Sequence, residues 1–169
     1  MIRPSYAAMM AVYNRRMNAR IYASAARLDD AVRRCDQGAF WRSIHATLCH
    51  LLWADEMWMS RLDGWDRPRA NLADSGDDVE SFETLTIGRH QADVRLAAWA
   101  DRLDDQALAA PLTWFSGAAN MMMTADRAAL VVHLFNHQTH HRGQVHAMLT
   151  RAGERPGDTD LWLVMAEAD

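Results

Sequence analysis

Residues 133–146 read His-Leu-Phe-Asn-His-Gln-Thr-His-His-Arg-Gly-Gln-Val-His, so five of the chain's eight histidines fall within one short stretch. Neutral imidazole is the commonest protein ligand for a metal. Two imidazoles four residues apart on a helix can hold one ion, and His137 and His141 have that spacing. At about 100° per residue, His133, His137 and His141 occupy successive turns of one face, drifting by about 40° at each step. Such pairs are common on ordinary helices. A metal site therefore needs a third ligand from elsewhere in the chain.

Two candidates stand upstream. His45 lies at the edge of an apolar face formed by Ile44, Leu48, Leu51, Leu52, Asp55, Trp58, Met59 and Leu62, the setting of a core or boundary histidine. His50 lies on a different stripe, with Ser43, Ala46, Thr47, Ala54, Met57 and Arg61. Small and polar neighbours leave room beside the imidazole, which suits a catalytic site with three protein ligands and a position open to water or substrate. Periodicity alone favours His50 only modestly over His45. His133 drifts away from a centre between His137 and His141 and reads as a boundary histidine. His140, about 60° back from His137, belongs beside the ligands or at a subunit interface. His146 and His90 read as surface groups. No nucleophile elbow, phosphate loop or dinucleotide fingerprint is present.

Helices must carry these residues. The periodicity predicts a first helix from about Ser5, as N-cap, to Leu28, with Met9, Met10, Tyr13, Met17 and Ile21 toward the core. A second runs from about Ala39, after Gly38, to Leu62. Residues 63–79, with Gly64, Pro68, Gly76 and several aspartates, form a loop. A third helix spans Glu80 to Leu103. Pro111 to Thr124 reads as two short strands around a turn. Thr124 or Asp126 then caps the histidine helix, which ends at Gly153. Four long amphipathic helices and one small hairpin predict an all-α four-helix bundle in a single domain, 1–169. The long loop can span the bundle, which makes an up-down-down-up order feasible and preferred.

Composition narrows the function classes. The net charge is −4, and all eighteen basic residues are arginines, without a basic stripe or tail. Nucleic-acid binding is not expected. No apolar run is long enough to cross a bilayer, and the start of the chain lacks the pattern of a secretory signal. A cytoplasmic protein without membrane contact is the expectation. Cys35 and Cys49 make neither a disulfide framework nor a CxxC site and read as reduced thiols.

The run 132–146, with its His-x3-His-Arg-Gly-Gln core, resembles the signature of the DinB/YfiT-like family of metal-dependent bacterial proteins. Tyr13-Asn-Arg-Arg-Met-Asn18, Ser43 to His50 followed by Ala54-Asp55 and Trp58, and Gly157-Asp-Thr-Asp-Leu161 resemble further family motifs. The likeness covers nearly the whole chain. It implies the up-down-down-up bundle, a homodimer, and a divalent ion held by His50, His137 and His141, so that His50 is preferred to His45. Gly143 would permit close helix approach, and Arg142 and Gln144 would orient ligands or subunits. Relatives with assigned activity include thiol-dependent transferases. The expected function is therefore a transferase that joins a metal-activated low-molecular-weight thiol to a small-molecule electrophile. Thr47, Ala54, Met57 and Arg61 would shape the acceptor site. The alternatives are a metal-dependent hydrolase and a non-catalytic, stress-related metal-binding protein, for which His133 or Asp55 would close the coordination. Imidazole donors suit Zn, Ni, Fe or Cu, with Zn or Ni expected first and Fe next. Ion affinity should weaken as pH falls toward and below about 6.5.

Overall fold

The computed structural model describes residues 1–117 and 119–167. They are mostly helical, in the order α1 (Pro4–Ala26), α2 (Asp30–Arg34), α3 (Ile44–Leu62), α4 (Phe82–Arg102), α5 (Asp105–Ala109), β1 (Pro111–Ser116), β2 (Met121–Asp126), α6 (Arg127–Arg151) and α7 (Leu161–Ala166). The long helices α1, α3, α4 and α6 surround one core. Phe135, Met17, Ile21, Ile44, Leu48, Met59, Leu85 and Leu96 are among its fully buried side chains.

Contacts between the long helices follow regular sequences. Along α3 and α4 they advance together: His45 and Cys49 reach the Val79 carbonyl, Asp55 meets Arg89, and Asp63 meets Arg102. Along α3 and α6 they run in opposite senses, from His50 against His137 to the Leu62 carbonyl against Arg127. Tyr22 stacks on Phe82 while Asn18 donates to Asp93, so α1 and α4 also run oppositely. Tyr6 packs on Phe135 and Tyr13 lies under Arg142, in the same sense along α1 and α6. The segment after α6 returns to α1, where the Tyr13 hydroxyl donates to the Thr159 carbonyl and Arg16 donates to the Val164 carbonyl.

Local chemistry sets the helix ends. Pro4 begins α1, because its missing N–H costs nothing in a first turn. Ser43 caps α3 by accepting from the Ala46 N–H, and Ser81 caps α4 from Thr84. The second long helix therefore starts at Ile44, and not near Ala39 as periodicity suggests. Gly38 and Arg42 both have positive φ, and an isolated bridge joins Ala39 to Arg42, so the chain turns before it can coil. Helix α6 ends in a Schellman motif. Gly153, at φ +89°, donates to the Thr150 carbonyl, and Glu154 donates to that of Leu149. The predicted hairpin forms with β1 antiparallel to β2, pairing Thr113 with Thr124 and Trp114 with Met123.

A buried polar network crosses the core. Arg89 pairs with Asp55 at 2.5 Å and Asp93 at 2.9 Å, Gln138 donates to Asp55 at 2.7 Å, and Asn18 donates to Asp93 at 2.9 Å. Asp55 is the one polar residue on an otherwise apolar face, and a buried carboxylate requires such partners. The network ties α1, α3, α4 and α6 at one level. Among the described residues no helix is long and apolar enough to cross a membrane.

Candidate metal centre

His50 on α3 and His137 and His141 on α6 each offer a ring nitrogen, and these atoms lie within 4.8 Å of one another. The Nε2 atoms of His50 and His137 are 3.3 Å apart. Two nitrogens bound to one tetrahedral ion at about 2.0–2.1 Å would stand about 3.3–3.4 Å apart. The donor set thus fits a divalent ion in composition and in its closest spacing.

The outer nitrogens fix which lone pairs face inward. The Ser75 hydroxyl donates its only proton to the Leu72 carbonyl, so at 2.8 Å it can only accept from His50 Nδ1–H. His50 Nε2 is then unprotonated and turned to the cluster. His141 Nδ1 lies 2.9 Å from Gln144 Oε1, an acceptor, so its Nε2 is likewise bare. Gln144 also faces His140 through its amide nitrogen, at 3.2 Å. Buried His137 Nδ1 has no hydrogen-bond partner among the described residues.

Ser75 is placed by the segment 63–81 folding back on α3. Gly76 makes this possible: a Cβ there would come 3.1 Å from the Trp41 ring and 3.4 Å from Ala46 Cβ. Trp53 anchors the same segment by donating to the Ala70 carbonyl. The Trp41 ring stacks on His50 with centroids 4.2 Å apart, sealing one side of the imidazole.

Burial keeps these imidazoles neutral. It lowers the pKa of His50 to about 3, with the nearby His141 and His137 rings pressing the same way. His137 is lowered to about 4, by burial first and then by His141, His133 and His140. His141 is lowered too, mainly by burial, although its bond to Gln144 works the other way. Neutral imidazole is the form that binds metal.

The remaining candidates divide clearly. His45 is a buried core histidine with Nε2 2.8 Å from the Val79 carbonyl, and it does not join the cluster. Asp55 is committed to Arg89 and Gln138. His133 meets the Trp58 ring edge-on, with centroids 5.0 Å apart, and lines the adjoining cavity without joining the three-nitrogen group. His90 is exposed, and His146 is half-buried beside the Gly157 carbonyl. Cys49 is buried, its thiol pushed up to about 12 by desolvation, whereas Cys35 is exposed. Arg142 turns into the core beside Tyr13 instead of reaching the ligands. A Cβ at Gly143 would meet nothing within 4 Å, so the close approach expected there is not made among the described residues.

A cavity of about 650 Å³ opens beside the cluster, lined by His50, His137 and His133 together with Ala54, Met57 and Arg61. Three of the four residues expected to shape an acceptor site therefore border it. Thr47 does not, because it is fully buried and donates to the Ser43 carbonyl. Trp41 and Ser75 escaped sequence reasoning, since both lie in irregular segments where no periodicity points at a partner.

A family model described as the DinB family matches residues 1–168. No curated protein matches the chain.

Proposed function

Given that the chain belongs to the DinB family, we propose that it is a metal-dependent enzyme whose His50, His137 and His141 hold one divalent ion. The reaction proposed is transfer of a low-molecular-weight thiol to an electrophilic small molecule. One observation carries this reading: three imidazole nitrogens converge within 4.8 Å beside a cavity of about 650 Å³. A divalent ion bound there would lower the pKa of a thiol or water joining it, so that a nucleophile is available at neutral pH. Zn or Ni is the expected ion, with Fe next.

The chain's own groups have separable tasks. Ser75 and Gln144 hold the Nδ1 protons of His50 and His141 and so aim both Nε2 lone pairs inward. Trp41 keeps water from one face of His50. His133 lines the cavity and is kept neutral by burial, so its imidazole could act as a proton acceptor beside the incoming nucleophile. The alternatives are a hydrolase using the same site and a non-catalytic protein whose ion pins the fold. The latter needs a closed coordination shell. Of its two candidate ligands, Asp55 is paired with Arg89, and His133 lies outside the three-nitrogen group.

The architecture proposed around the site is one domain over residues 1–169, with the long helices in up-down-down-up order. The parallel runs of contacts between α3 and α4 and between α1 and α6, with antiparallel runs between α3 and α6 and between α1 and α4, support it. A homodimer is proposed from the family resemblance, and sedimentation of the purified chain tests it.

Elemental analysis of protein purified without a histidine tag tests the centre, with about one ion per chain expected and none in His137→Ala. Metallated protein is then offered an electrophile with glutathione, bacillithiol or mycothiol. Turnover with one of them supports the transferase. Absence of turnover with all three, alongside hydrolysis of an ester or amide, favours the hydrolase.

A further inference from the structure

Beyond the histidines, the cavity is lined by aromatic rings and guanidinium groups. Arg61, Arg67 and Arg69 border it with Trp58 and Trp114, and no aspartate or glutamate lines it among the described residues. Its lining is cationic in a chain whose net charge is −4.

Several arginines elsewhere pair with carboxylates: Arg89 takes Asp55 and Asp93, Arg102 takes Asp63, and Arg27 takes Glu154. Among the described residues Arg61, Arg67 and Arg69 take none. The Arg61 guanidinium carbon lies 4.7 Å from the Trp58 ring centroid and 5.8 Å from that of Trp114. Two rings thus hold a half-buried cation in place while leaving its N–H donors unused. Arg67 donates to the Met57 sulfur at 3.9 Å. Burial and the nearby Arg67 charge both lower the pKa of Arg61, so an anion brought there would relieve a repulsion.

A guanidinium fork matches a carboxylate in shape and charge, and flanking indole rings match a flat apolar body. We propose that this cavity takes a small organic carboxylate. Its aromatic or apolar body would lie against Trp58, Trp114 and Met57, and its carboxylate would pair with Arg61, supported by Arg67 and Arg69 at the exposed margin. A cavity of about 650 Å³ is of the size that holds a small organic molecule. The proposal depends on the metal reading only in making this molecule the acceptor for that chemistry.

Calorimetric titration of the full chain, zinc-loaded and zinc-free, with naphthalene-carboxylate and its uncharged carboxamide separates the cases. The carboxylate should bind about 10-fold or more tightly than the amide, with or without zinc. Added salt should shrink the ratio. Arg61→Gln should bring it toward one and Arg61→Lys should keep part of it. The exposed pair Arg67→Gln/Arg69→Gln should reduce it without disturbing the helical circular dichroism. Inorganic phosphate should compete weakly, because it lacks the apolar body. Equal binding of acid and amide overturns the proposal, as does a ratio unchanged in both glutamine variants. A preference seen only with zinc present also overturns it, because the ion and not the guanidinium would then hold the carboxylate. Zinc affinity read on the same samples tests the metal centre separately: carboxylate preference in a chain that retains no zinc would leave this proposal standing and remove the centre.

Discussion

Replacing Ser75 by alanine removes the acceptor of the His50 Nδ1 proton and nothing that touches the ion position itself. The Ser75 side chain is fully buried, so water does not replace the hydroxyl. In the metal-free protein the ring can respond by moving its proton to Nε2, where His137 Nε2 stands 3.3 Å away. With an ion bound that escape is closed, because Nε2 is needed as a ligand, and Nδ1–H is left buried and unpaired. Such a group costs about 1–3 kcal/mol. Loss of a partner that orients a ligating histidine costs about 10- to 100-fold in metal affinity, or about 1.4–2.7 kcal/mol. The two figures agree, so the zinc dissociation constant of Ser75→Ala should rise about 10- to 100-fold while metal-free stability changes little. Competition against a chromophoric chelator measures the first and urea unfolding the second. Nitrogen NMR of labelled histidine should show the Nδ1–H form at position 50 in the metal-free wild type and its decline in the variant. An unchanged zinc affinity with the Nδ1–H form persisting would refute the tautomer argument, whatever the role of the histidines.

Three further outcomes are expected. Asp55→Ala leaves Arg89 with Asp93 as its remaining carboxylate and Gln138 without its buried acceptor, and should cost about 1–3 kcal/mol, read as a fall in chemical stability, with the histidine cluster still able to take zinc. Metal-free stability should decline as pH falls from about 6.5 toward 4. The pKa values of His50 and His137 are lowered to about 3 and about 4, so the unfolded chain binds more protons throughout that window, at about 1.4 kcal/mol per proton per pH unit. Urea midpoints that stay level across it would contradict the buried neutral imidazoles, and by the same logic ion loss at these two residues belongs nearer their folded values than the 6.5 expected for free imidazole. Gly153→Ala forces a Cβ onto a residue at φ +89° and should destabilise by about 1 kcal/mol, measurable by thermal unfolding.

Much of this architecture could be read from residue order. The helical faces around Met17, Leu48 and Phe135 repeat at 3.6 residues, and the strands around the turn near Gly117 carry their own punctuation. The His-x3-His pair announces itself, while His50 was separated from His45 by a family motif and not by periodicity. The structure then separates the two by environment: one ring is bonded to a loop carbonyl, the other to a serine that leaves Nε2 bare. What sequence could not convey was tertiary adjacency. Trp41 reaches His50 only because Arg42 adopts a left-handed backbone, and Ser75 only because Gly76 lets two segments touch. Asp55 advertised a need for a partner without naming Arg89, since nothing local in α4 distinguishes that guanidinium from the others.

The connection between α3 and α4 contributes Ser75 to one imidazole and Arg67 and Arg69 to the cavity wall. Retention of an ion and choice of a cavity ligand would therefore be mechanically joined through a single stretch of backbone. Remodelling that stretch to admit a bulkier guest would shift the serine and loosen the ion together. Trp114, carried on the hairpin, lies outside this linkage, which makes it the safer place to alter what the protein accepts.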